Sequence, residues 1–175
     1  MQSSADGYYS VILRTNLPPM KSTIAELNNI VFDFSEKISA IPDDEFSAKP
    51  LPSKWSKKEV LGHLIDSAQN NLRRFICGQY ESMPPKITYN QDLWVDFNGY
   101  PQTNKAEVIA LWTLMNKRIA AVLEKMPAAS YSKSSDTGRE SVALHSLAWL
   151  ADDYVKHLKH HLNQIIPGSF AIRYP

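Results

Sequence analysis

Apolar residues return every three or four positions in four long stretches of the chain, with polar residues between them. That period is the signature of amphipathic helices. Ile24, Leu27, Ile30, Val31, Phe34 and Ile38 predict a helix over about 23–40, with Thr23 and Glu26 spaced as a capping box. Pro42, Pro50 and Pro52 break the pattern. A second helix is expected over about 56–80, opened by the capping box Ser56–Glu59 and carrying the stripe Leu61, Leu64, Ala68, Leu72 and Phe75. A third is expected over about 105–125, with Asn104–Glu107 as capping box and Val108, Leu111, Trp112, Met115, Ile119 and Val122 inward. The fourth is expected over about 142–166, stopping before Pro167–Gly168.

The connections also carry information. Residues 81–104 read as one long loop containing Tyr89, Trp94, Phe97 and Tyr100, which are expected to dock on the helices. Loops of that length within a domain are uncommon and often functional. Residues 126–141 form a second connection rich in Ser with Pro and Gly. No stretch alternates as a strand would, except 8–15, read as irregular. The organisation is thus an N-terminal extension over 1–22, an all-α four-helix bundle over 23–167 and a tail over 168–175.

Composition narrows the function classes. The 175 residues suit one domain, and 43% hydrophobic against 21% charged is ordinary globular usage. A net charge of +1 gives no electrostatic case for nucleic acid or an anionic membrane. No apolar run is long enough to span a membrane, and the opening residues lack a signal-peptide pattern. The single cysteine, Cys77, excludes an intramolecular disulfide and a cysteine-based metal site, and is expected to be a small core residue. A cytoplasmic location is the expectation.

Three of the five histidines crowd into "KHLKHH". The inward stripe of the fourth helix runs Leu147, Leu150, Tyr154, His157, His161, Ile165, so two imidazoles continue an apolar face. His160 lies about 100° round from His161. Inward histidines need polar partners. They are either satisfied core residues or metal ligands, and a pair four residues apart can converge on one ion. A third ligand must come from a facing helix. His63 is the other candidate, on a polar stripe with Ser67, Asn70 and Arg74 that reads as a solvated face or a cavity wall. His145 is about three turns from His157, too far to share the ion. The acidic base of H-E-x-x-H is missing, and no G-x-S-x-G elbow or phosphate-binding glycine loop occurs. Trp55 reads as a hydrophobic staple before the Ser56 cap, and Arg73 and Arg74 as solvated, Arg74 with an alternative place in the cavity.

"KWSKKEVLGHLIDSAQNNLRRF" and "YVKHLKHHLNQI" together resemble the DinB-like superfamily, and within it the YfiT-like proteins inferred to be metal-dependent hydrolases. The resemblance spans about 24–166. It implies a four-helix bundle, often a homodimer, holding one divalent ion, Ni or Zn, on His63, His157 and His161, with His160 outside the triad. Three histidines leave coordination positions open, as catalytic sites do. The function so implied is hydrolysis of an unidentified small-molecule substrate by metal-activated water. One alternative is metal-dependent transfer of a thiol, as in S-transferases of the same superfamily. Another is a non-catalytic stress or small-molecule binding bundle. Asp66 is a candidate to orient His63 or water or else a surface group, Tyr154 to hydrogen-bond substrate or simply to pack, Asn70 to line the cavity, and Asp92, Trp94 and Asp96 to cover its mouth.

Overall fold

The computed structural model describes residues 20–174. The irregular reading of 8–15 and most of the proposed N-terminal extension lie outside them. Four long helices form the body: α1 (Met20–Ser39), α3 (Lys57–Tyr80), α5 (Lys105–Lys125) and α6 (Leu147–Ile165). Short helices α2 (Asp43–Ser47) and α4 (Gln91–Phe97) sit in the connections. A two-stranded antiparallel hairpin, β1 (Ser134–Asp136) and β2 (Leu144–Ser146), precedes α6.

Helices α1 and α3 each pack mainly on α5 and α6. The consecutive helices α1 and α3 therefore face each other across the bundle, as do α5 and α6. A chain that crosses a bundle needs long connections, which accounts for the lengths of 40–56 and 126–146. The arrangement places α3 directly against α6, the two helices that carry the inward histidines.

The stripes read from the sequence form the core. Leu27, Ile38, Leu61, Leu64, Ala68, Phe75, Trp112, Ile119, Leu147 and Ile165 are fully buried. Each such aliphatic or aromatic side chain contributes about 1.5–3 kcal/mol of burial. Ser56 and Glu59 form the reciprocal capping box, at 3.2 Å and 2.8 Å.

Several expectations need correction. Helix α1 already includes Met20, and Thr23 is buried within it rather than capping it. Glu26 pairs with Lys159 of α6 instead. Asn104 does cap α5, but accepts from Ala106 N at 2.8 Å and no reciprocal bond from Glu107 completes a box. The last helix starts at Leu147, not near residue 142, because Ser146 is extended and its side chain accepts the Trp149 N–H. Residues 144–146 pair with 134–136, so His145 lies in β2, its ring stacked on Trp149 at 3.9 Å. The Asp136 carboxylate closes the hairpin by accepting from Gly138 N and Ala143 N, both at 2.9 Å. Cys77 is partly exposed, with Sγ 3.4 Å from the Tyr80 hydroxyl, rather than a core residue.

The long loop is mostly structured and tied down. Asn90 caps α4, accepting from Asp92 N and Leu93 N. Gly99, at φ 64°, turns the chain so that Tyr100 plunges inward. Lys58 holds the end of the loop through Pro101 O and Thr103 O. Arg74 is not solvated: it donates to Ile87 O at 2.7 and 3.2 Å and to Asn71 Oδ1 at 3.2 Å. Tyr100 docks as expected, but Phe97 is 79% exposed.

Gly62 faces the Tyr100 ring so closely that an added Cβ would lie 2.1 Å from Cδ2. Replacing a helical glycine by alanine ordinarily gains up to about 1 kcal/mol. Here the overpacking cost of about 1–3 kcal/mol should win. Gly62→Ala is expected to lower the thermal midpoint by several degrees in circular dichroism, and an unchanged or raised midpoint would contradict this packing.

Candidate metal centre

The centre is built from two adjacent helices. His63 lies near the start of α3, and His157 and His161 are one turn apart on the facing side of α6. One ring nitrogen from each falls within 4.8 Å of the others. His63 Nε2 and His157 Nε2 are 3.2 Å apart. Neighbouring rings meet edge to face, with centroids 4.5–5.1 Å apart.

The outer nitrogens have different surroundings. His157 Nδ1 is 3.4 Å from Ser67 Oγ, and His161 Nδ1 is 3.2 Å from Gln164 Oε1. The Nε2 atoms are left for the centre. His63 Nδ1 is buried with no partner among the described residues. Burial, with the His161 charge added to it, pushes His63 down to about 3. Burial likewise takes His161 down to about 4 and His157 well below its ordinary value. All three are thus neutral near pH 7, each with a lone pair available. Neutral imidazoles from two helices aimed at one point are what a divalent ion requires, so the residues fit such an ion. No other group of His, Cys, Asp and Glu among the described residues converges in this way.

An open cavity of about 670 Å³ reaches His161. Trp55, Val60, Gln91, Asp92 and Gln164 line it, together with three lysines. Lys49 is paired with Glu59 at 2.7 Å and Lys57 with Glu45 at 2.5 Å. Lys54 has no ion-pair partner among the described residues. The Trp55 ring lies 5.1 Å from that of His63, so this residue forms part of the site besides any role at the helix start.

The other sequence candidates are placed as follows. Asp66 is fully buried, not on the surface, and its Oδ1 accepts from Tyr100 Oη at 2.6 Å and Asn98 Nδ2 at 2.9 Å. Burial raises its carboxyl to about 6, although the Tyr100 bond opposes the shift. Asp66 thus holds the long loop to α3. Asn70 donates to Asp66 O, while its Oδ1 is buried and unpartnered. Tyr154 is buried and donates to Asn116 Oδ1 at 2.6 Å. Asp92 lines the cavity; Asp96 lines a smaller neighbouring one; Trp94 packs beside Tyr89 at 5.4 Å. His160 lies beside the triad, its ring 4.9 Å from that of His161.

Sequence reasoning did not single out Gln164, Lys54 or Tyr174. Tyr174 comes from the tail, which docks: Phe170 stacks on Phe34 at 5.1 Å, and Asn163 bonds both its N–H and its carbonyl. The Tyr174 ring then lies 5.6 Å from His157 and from His160, with its hydroxyl on Asp153. Gln164 had a signal in its spacing, since i+3 from His161 and i+4 from His160 puts it beside both on a helix.

Comparison with known proteins agrees with this architecture. The family profile described as DinB superfamily matches residues 33–165. YfiT of Bacillus subtilis (strain 168), whose name carries an inferred metal-dependent hydrolase activity, is 22% identical over 145 residues, covering 81% of this chain and 79% of its own. Its solved structure, described as having an unusual four-helix bundle topology, superposes with a TM-score of 0.75 at 19% identity, over 83% of each chain. The mycothiol-dependent maleylpyruvate isomerase matches with a TM-score of 0.68 at 11% identity, over 83% of this chain and 60% of that one.

The depressed imidazoles set a direction for acid stability. Unfolded, they take up protons near 6.5; folded, they resist protonation down to about 3 for His63 and about 4 for His161. Below about 6.5 the unfolded chain binds more protons, so the stability present above that pH is lost as pH falls towards those folded values. Asp66 and Asp153, both raised by burial, act in the opposite sense. Three imidazoles outweigh two carboxyls. The urea midpoint of metal-free protein is therefore expected to be lower at pH 5 than at pH 7, with a smaller gap in His157→Ala. An equal or higher midpoint at pH 5 would contradict the burial of neutral histidines.

Proposed function

The chain belongs to the DinB superfamily, and from that premise we propose that it is a metal-dependent hydrolase of a small substrate, with His63, His157 and His161 holding one divalent ion, zinc or nickel. The observation that carries this reading is the convergence of three neutral imidazoles, one of which, His161, lines an open cavity. A structural zinc site would be closed by a fourth protein ligand. Among the described residues no carboxylate or thiol joins the three histidines. When bound, such an ion supplies a Lewis acid and a water acidified toward neutral pH.

The chain's own residues do the rest. Burial keeps the imidazoles unprotonated, so they remain donors at neutral pH. Ser67 and Gln164 set the orientation of His157 and His161 through their outer nitrogens. Trp55 offers an apolar platform beside His63, and Gln91 and Asp92 offer polar groups on the cavity wall. Asp66 acts one step away, by holding the loop that carries Gln91 and Asp92.

A second reading has its own observation. Three lysines line the cavity, and the fold is shared with a mycothiol-dependent isomerase. A bulky anionic thiol has room and a cation, Lys54, with no ion-pair partner among the described residues, to meet it. In that reading the ion activates a thiol rather than water.

Elemental mass spectrometry of protein purified without a histidine tag is the test of the centre. Wild type is expected to carry about one divalent ion per chain, and His63→Ala close to none with its helical content kept. Ester and amide hydrolysis without added thiol would support the first reading, and activity that appears only with a thiol the second. No ion in wild type after loading with zinc or nickel would overturn both and turn the histidines back into core residues of a binding bundle.

A further inference from the structure

The function proposed above uses three histidines and leaves His160 beside them without a role. Its surroundings are specific. His161 Nδ1 lies 3.2 Å from Gln164 Oε1, and Gln164 Nε2 lies 3.3 Å from His160 Nε2. With the Gln164 amide oriented as it is, oxygen toward His161 and nitrogen toward His160, the direction of both bonds follows. An amide oxygen can only accept, so His161 must carry its proton on Nδ1. An amide nitrogen donates, so His160 Nε2 must be the acceptor, with the His160 proton on Nδ1. Once Nδ1 of His161 is the protonated nitrogen, its Nε2 has the free lone pair. One nitrogen of each of His63, His157 and His161 lies within 4.8 Å of the others, and with Nδ1 of His161 turned to Gln164, Nε2 is the one left to meet them.

We propose that Gln164 and His160 form a positioning relay that selects the metal-ready tautomer of His161. The inference rests on the three-histidine reading for its use, but not for its geometry. Gln164 reads the tautomer of His161, and His160 holds the Gln164 amide in the orientation that does so. If the amide were reversed, its nitrogen would face His161 Nδ1 and favour a proton on Nε2, the form whose Nε2 has no lone pair to offer an ion. His160 is itself placed by the packed tail, through the Tyr174 ring at 5.6 Å. Crowding of the histidines thus follows from two tasks. His157 and His161 point inward, and His160, one residue round the helix, sets the outer bond of its neighbour.

Two measurements test the relay, one without metal and one with it. In metal-free protein, nitrogen-15 correlation spectra of the imidazoles should show His161 protonated on Nδ1, with a shift toward Nε2–H in Gln164→Leu. Seeing Nε2–H in wild type, or no change in the variant, would overturn the relay whether or not the protein binds an ion. With zinc, competition against a chelating dye should show Gln164→Leu weakened about tenfold or more. Gln164→Glu, which keeps an acceptor, should bind at least as tightly as wild type. His160→Ala should weaken binding in wild type and add little in Gln164→Leu, because the two act through one bond. Equal losses in Gln164→Leu and Gln164→Glu, or a His160→Ala effect that is the same in both backgrounds, would also overturn it. A failure of wild type to bind zinc, beside an intact tautomer preference, would sink the metal reading alone.

Discussion

Three imidazoles share a space on the α3–α6 interface that has no room for three positive charges. Two ring nitrogens lie 3.2 Å apart, and the rings are largely removed from water. Desolvation and mutual repulsion push in the same direction and keep all three neutral. The rest of the molecule follows from this constraint. Helices α3 and α6 must be neighbours, so that a pair one turn apart on one helix can meet a single histidine on the other. The crossing connections and the diagonal placement of α1 opposite α3 make that adjacency possible.

A second polar arrangement supports the first. Asp66 lies three residues beyond His63 and is buried against the loop that borders the cavity. Its carboxylate takes the Tyr100 hydroxyl and the Asn98 amide, while Gly62 leaves space for the tyrosine ring. One turn of α3 therefore contributes both a candidate ligand and the fastening of the cavity wall. Such coupling makes a loop of this length affordable, because the entropy of ordering it is offset by burial of Tyr100 and Val95 and by the bonds of Lys58 and Arg74.

Polar groups less than a turn apart on α6 have different surroundings. Tyr154 donates to Asn116 Oδ1 and Asn116 donates to Trp112 O, an arrangement of packing, although the Trp112 Nε1 has no partner among the described residues. Around the histidines, polar atoms aim at a common point or stand without partners, and the neighbouring surface is an open cavity. Satisfied polar groups stabilise a core. His63 Nδ1 and Asn70 Oδ1 are left without partners among the described residues.

The sequence alone determined the four long helices and their inward faces, because a period of 3.6 residues marks which side of a helix leaves water. It also made the His157–His161 pair legible, since their spacing continues an apolar stripe, and the motif around His63 named the third position through resemblance. It could not determine what depends on distance through space. The hairpin before α6 was missed because three-residue strands carry too little alternation to be seen, and its start was blurred into the helix. Arg74 and Asp66 looked like surface groups because nothing in their local pattern shows that Ile87, Asn98 and Tyr100 return to meet them. Gln164 was passed over for the same reason that makes it interesting: its neighbours one turn back are visible in the chain, but its role follows only from which way His161 faces. That direction was set by the packing of α3 against α6, and only the tertiary structure decides it.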